Sequence, residues 1–133
     1  MDLKEVVKIA HENSTAHGFW EGEQNISEKL MLIVTEVSEA CDCLLDASGD
    51  GMPDADFLDK VDETGFNQYQ FDLVNHPDLA FKCNVKDTFP DELADIVIRV
   101  ADLAGHLGYD LDRHVKLKMI YNASRPIKHG KNF

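Results

Sequence analysis

Residues 30–45 read LMLIVTEVSEACDCLL, a nearly continuous apolar run interrupted by Glu36 and Glu39. Leu30, Val34, Val37, Cys41 and Leu44 recur at helical spacing and form one stripe, expected to face the core. On a helix, two residues three apart lie about 60° from each other, so Glu36 and Glu39 share a neighbouring face. Leu32 and Cys43 extend that face in both directions, and both are apolar. A carboxylate set into an apolar wall is costly unless something pairs with it. The stretch is therefore read as a helix whose acid pair either sits at the edge of a core or holds a ligand.

Working outward, four helices are expected. The first runs from Asp2 to His17, with Leu3, Val6, Val7 and Ala10 as its apolar stripe and Gly18 as a stop. The second starts near Asn25 or Ser27, where Asn25 and Glu28 have the spacing of a capping box, and runs to Asp46. The third begins between Thr88 and Pro90, with proline tolerated in the first turn, and ends at His106 before Gly108. The fourth runs from Asp110 or Asp112 to Ser124, ahead of Pro126. Residues 47–88 are broken by glycine and proline; short structure is expected only around ADFLDKV and FNQYQFDLV. No alternating strand pattern of useful length occurs. The expected fold is all-α, a four-helix bundle with residues 47–88 inserted between its second and third helices.

Bulk properties narrow the function. A chain of 133 residues fits one domain, 1–133. Its 44% hydrophobic content is that of a folded protein. A net charge of −12 argues against nucleic-acid polymers and anionic membranes as partners, since both attract basic surfaces. A single nucleotide is compatible, because its phosphates can arrive bound to metal. Three cysteines do not make a disulfide framework. Cys41 and Cys43 point about 200° apart on a helix and are poorly placed to share a metal, so they are read as reduced core thiols. The opening MDLKEVVKIAHENS lacks a signal peptide's apolar stretch, and no segment is long and apolar enough to span a bilayer. A cytoplasmic protein is expected.

The third helix repeats the acidic device. In PDELADIVIRVADLAGH, Glu92 and Asp95 are again three apart, beside a core set of Leu93, Ile96, Val100, Leu103 and Leu107. Here the stripe continues through Arg99, Asp102 and His106, so a solvated face explains it when taken alone. Packed antiparallel, however, the two helices would bring four carboxylates to one place. Four like charges would raise one another's pKa values, and a divalent cation would remove the penalty. Hard oxygen ligands suit Mg²⁺ or Mn²⁺, and Mg²⁺ readily takes phosphate oxygens as further ligands.

Phosphates also call for cations. Lys116, Lys118, Arg125, Lys128 and Lys131 gather near the C-terminal end with His129. Lys118, Asn122 and Arg125 share one face if the helix continues to Arg125. A basic tail offsetting an acidic body is the plainer explanation. Lys29, seven residues before Glu36, faces the same way as that glutamate. Trp20 lies in a glycine-flanked loop before the acidic helix. It is either a base-stacking platform or ordinary core.

Taken together, LIVTEVSEA, DELADIVIR, the ending KMIYNASRPIKHGKNF and the HGFW loop resemble the all-α nucleoside triphosphate pyrophosphohydrolases of the MazG type. That superfamily also holds the dimeric dUTPases, the dCTP pyrophosphatases and phosphoribosyl-ATP pyrophosphatase. The resemblance covers most of the chain except residues 47–88, which are longer than in typical small members. It implies hydrolysis of a nucleoside triphosphate to the monophosphate and pyrophosphate, with Mg²⁺ required. It also implies that Glu36, Glu39, Glu92 and Asp95 are both metal ligands and catalytic residues. Lys118, Asn122 and Arg125, with Lys128 and Lys131, would hold phosphates or sugar, and Trp20 would contact the base. Pyrimidine deoxynucleotides are the expected substrates, and a homodimer or homotetramer the expected assembly.

Three other readings compete. A di-iron bundle needs Glu-x-x-His on two helices, and no glutamate here has a histidine three residues on. DASGDG, residues 46–51, opens like a calcium loop, but Phe57 stands where a bidentate glutamate is needed. The remaining alternative is a non-catalytic acidic helical module, binding a protein partner or a nucleotide.

Overall fold

The computed structural model describes residues 1–46, 58–130 and 132. Six α-helices occur among them: α1 (Leu3–Ala16), α2 (Ile26–Asp46), α3 (Glu63–Asn75), α4 (Pro77–Asn84), α5 (Phe89–Leu107) and α6 (Leu111–Ser124). Short 3₁₀ turns occupy Leu58–Lys60 and Ile127–Gly130. No strand occurs among the described residues, so the protein is all-α as expected. The four expected helices are α1, α2, α5 and α6, with ends within a few residues of the sequence reading. The remaining two come from the insert, where FNQYQFDLV lies within α3 and proline opens α4. The calcium-loop-like DASGDG falls, from residue 47 onward, outside the described residues.

Local chemistry sets these ends. The Asp2 carboxylate accepts from the Glu5 amide at 2.9 Å, Asp62 from Gly65 at 2.8 Å and Asp110 from Arg113 at 3.1 Å, each satisfying an amide that the first turn leaves unpaired. Helices α1 and α5 stop in the same way. Gly18 and Gly108 take φ of 81° and 71°, and the next amides, of Phe19 and Tyr109, reach back to the carbonyls of Ser14 and Ala104. At the end of α6, Arg125 is already extended (φ −82°, ψ 153°), as the residue before a proline prefers. The helix therefore does not continue to Arg125.

The residues group into two compact units: Met1–Asn25 with Ile98–Phe133, and Ile26–Val97. The first unit packs α1 against α6 and against the C-terminal half of α5. Its interior is small: Ala10, Ala101 and Ala104 are buried. Small residues let helices approach closely, and Gly105 shows how closely. A methyl group there would lie 2.7 Å from the Cβ of His11 and 3.3 Å from the carbonyl oxygen of Val7. Glycine is needed here for space.

In the second unit α3 packs on α4, while Ala40 and Val85 are buried. Two expectations fail here. The stripe of Leu30, Val34, Val37 and Cys41 is exposed, not core, and Cys41 is therefore an exposed thiol. On α5, Ile96 and Leu103 are half-buried as expected, but Leu93, Val100 and Leu107 are open. Periodicity located an apolar stripe on α2 but assigned it to the core; the covered face is the one carrying Glu36 and Ala40.

Candidate metal centre

The acid pair of α2 and Glu92 of α5 converge. Carboxylate oxygens of Glu36, Glu39 and Glu92 all lie within 4.8 Å of one another. Glu36 and Glu92 are each only 6% exposed, whereas Glu39 is open to water. One oxygen of Glu92, Oε2, is buried and has no hydrogen-bond partner among the described residues. A buried oxygen left unpaired costs free energy, and an ionised one costs more. Burial first, then the charges of Glu39, Asp91, Asp95 and Glu36, hold the Glu92 carboxyl above the usual carboxylate range. Asp95, one turn further along α5, adds charge to this field, but the converging group itself is Glu36, Glu39 and Glu92. Three convergent carboxylates, two of them buried, fit a hard divalent cation such as Mg²⁺ or Mn²⁺.

The solvated-face reading of α5 fails at Glu92 and again at Asp102. Asp102 is three-quarters or more buried and collects three hydrogen bonds. His11 Nδ1 lies 2.9 Å from its Oδ1, Trp20 Nε1–H donates to the same oxygen at 2.8 Å, and the Ser14 hydroxyl donates to Oδ2 at 2.7 Å. An ionised carboxylate only accepts, so it selects the His11 tautomer with hydrogen on Nδ1. The Trp20 ring stacks on His106 at 3.7 Å with 7° between planes. One face of the expected base platform is thus occupied within the protein. His11, Ser14 and His106 were not singled out from the sequence. Their spacing, His11 and Ser14 three apart and Asp102 and His106 four apart, was the available signal.

Among the expected phosphate ligands, Lys118 and Arg125 come together on Tyr121: the Lys118 ammonium is 5.3 Å and the Arg125 guanidinium 5.5 Å from its ring centroid. The buried Oδ1 of Asn122 has no hydrogen-bond partner among the described residues. Lys116 is committed elsewhere, bonded to Asp112 at 2.7 Å, which raises its pKa. Lys29 is half-buried on α2, and Lys128 is exposed with a positive φ of 52°. Lys131 falls outside the described residues.

A cation near the acids was missed. Lys86 bonds Asp87 at 2.9 and 3.0 Å, and the Asp87 amide donates to Asp91 at 3.0 Å. Asp87 itself takes a left-handed φ of 62°. The Lys86 pKa is raised by Asp87 first, with Asp91 and Glu92 adding to it.

The fold and site define an all-α protein with a converging acidic cluster suited to a divalent metal. Among the described residues no helix is long and apolar enough to cross a membrane. Compared with models of protein families, with curated proteins and with solved structures, the chain matches none.

Proposed function

We propose that this protein is a Mg²⁺-dependent nucleoside triphosphate pyrophosphohydrolase of the MazG type, acting on cytoplasmic nucleotide pools with a preference for pyrimidine deoxynucleotides. The observation that carries the reading is the convergence of carboxylate oxygens of Glu36, Glu39 and the buried Glu92 within 4.8 Å of one another. Three carboxylates this close repel one another, and a cation would relieve that repulsion. Glu36, Glu39, Glu92 and, from the next turn, Asp95 would hold it. When bound, such a cation polarises phosphate oxygens, neutralises developing charge and lowers the pKa of a bound water.

The chain's own groups divide the remaining tasks. Glu39 is the exposed member of the cluster, so it is the one that water and phosphate meet first. Lys118 and Arg125, held against Tyr121, supply a point charge and a fork for phosphate oxygens. By the resemblance, Asn122, Lys29, Lys128 and Lys131 would contact phosphate and sugar, and Trp20 the base. Water adds to phosphorus and the bond to pyrophosphate breaks, leaving the monophosphate. By the same resemblance the protein works as a homodimer or homotetramer.

A panel of ordinary and modified nucleoside triphosphates with Mg²⁺ or Mn²⁺ tests the reading, with pyrophosphate release as the readout. Cleavage of at least one nucleotide, abolished in Glu39→Gln, is expected. If nothing is cleaved and Glu39→Gln changes neither metal nor nucleotide binding, the protein is instead an acidic helical binding module.

A further inference from the structure

The Asp102 hub lies wholly within the first unit and takes no part in the acidic cluster. Its side chain is 18% exposed, and both carboxylate oxygens are occupied. Trp20 Nε1 and His11 Nδ1 reach Oδ1 at 2.8 and 2.9 Å, and the Ser14 hydroxyl reaches Oδ2 at 2.7 Å. An indole N–H only donates, so Oδ1 is an acceptor. His11 Nδ1, on the same oxygen, therefore donates too. The ring is held as the Nδ1–H tautomer, and when neutral its Nε2 carries a lone pair. That nitrogen has no hydrogen-bond partner among the described residues, and it is not sealed from water.

The neighbouring rings set what this lone pair meets. His106 stacks on Trp20 at 3.7 Å with 7° between planes. His11 stands edge-on to both, 5.7 Å from Trp20 and 5.8 Å from His106 between centroids. His106 is exposed, while Trp20 and His11 are half-buried. The two ring donors suited to a carbonyl, Trp20 Nε1–H and His11 Nδ1–H, are both spent on Asp102. What His11 and Trp20 still offer is one acceptor beside a flat aromatic wall.

We infer that Asp102 is a positioning residue for base recognition: by fixing the His11 tautomer it selects a base that donates an exocyclic amino hydrogen to Nε2. Among pyrimidines that base is cytosine. Uracil and thymine bring a carbonyl oxygen to the same place and set one lone pair against another. This inference rests on the nucleotide reading proposed above and concerns the base alone. A site that hydrogen-bonds a substrate N–H rejects an analogue lacking it far more strongly than shape alone does. His11 is only half-buried, so a discrimination of about 10- to 100-fold is expected.

Two measurements at pH 8, above the ordinary imidazole value of about 6.5, test this. Nitrogen NMR of the His11 ring should show Nδ1 protonated and Nε2 bare. An Nε2–H ring or an imidazolium overturns the inference. Calorimetric titration with Mg²⁺ and the non-cleavable α,β-imido analogues of dCTP and dUTP should give the cytosine compound about 10- to 100-fold tighter. Asp102→Asn keeps an acceptor oxygen for Trp20 and His11 and turns its amide to Ser14, so it should preserve that ratio. Asp102→Ala releases the ring, and the ratio should fall below about threefold in protein whose helical circular dichroism is retained. Should that variant not fold, His11→Gln serves instead: its carboxamide turns either group to the base, and the ratio should fall equally. Binding of both analogues without preference overturns the inference alone, as does a folded Asp102→Ala or His11→Gln that keeps the full ratio. Binding of neither, with the Nδ1–H ring observed, refutes the nucleotide reading and this inference with it.

Discussion

Replacing Glu92 by glutamine removes one charge from the acidic cluster and keeps its shape. At the 4.8 Å limit of the cluster, two unit charges repel by about 3.5 kcal/mol at an effective dielectric of about 20, and by about 0.9 kcal/mol in water. The pair with exposed Glu39 lies near the lower figure and the pair with buried Glu36 nearer the upper. A net gain of about 1–3 kcal/mol is therefore expected for Glu92→Gln in the metal-free protein at pH 8. For a chain of this length that is roughly 4–10 °C in melting temperature.

The pH dependence has a fixed sign. The folded state holds the Glu92 proton more tightly than the unfolded chain does. Its contribution to stability is full below the ordinary glutamate value of about 4.3 and is lost as pH rises through the elevated folded value. Melting in EDTA should therefore fall between pH 5 and pH 8 more steeply for the unsubstituted protein than for Glu92→Gln. Metal reverses the order. Mn²⁺ at about 100 times its dissociation constant stabilises by about 2.7 kcal/mol, and Glu92→Gln should lose most of that gain. Differential scanning calorimetry at one fixed protein concentration reads all three effects. A variant that melts below the unsubstituted protein in EDTA at pH 8, or that gains as much from Mn²⁺, refutes the metal-centre argument.

Three further outcomes are expected. Gly105→Ala places a methyl 2.7 Å from the His11 Cβ and should cost about 1–3 kcal/mol in urea denaturation; a neutral result would mean α1 shifts freely. Asp102→Ala leaves His11, Ser14 and Trp20 without their shared acceptor, which should cost about 2–4 kcal/mol and shift Trp20 emission to longer wavelength. Unchanged emission would argue that the indole N–H finds another acceptor. A non-cleavable nucleotide with Mn²⁺ should quench Trp20 fluorescence, and an unaltered signal counts against the base contact.

The sequence by itself determined four of the six described helices and their approximate ends. Asp2 and Asp110 as caps, Gly18 and Gly108 as stops and Pro126 as a breaker act within a few residues, and the structure follows them. It also placed Glu36 beside Glu39 and Glu92 one turn from Asp95, because helical geometry fixes which side chains share a face. Only the tertiary structure decided which faces are covered. Glu36 and Glu92 turned out buried while Leu30, Val34 and Val37 stayed in water, a reversal that hydrophobicity along one helix cannot reveal. Asp102 became a hub through partners 82 to 91 residues away in sequence. Periodicity records the faces of one helix; which of them is covered depends on neighbours that arrive from distant sequence, or from another chain.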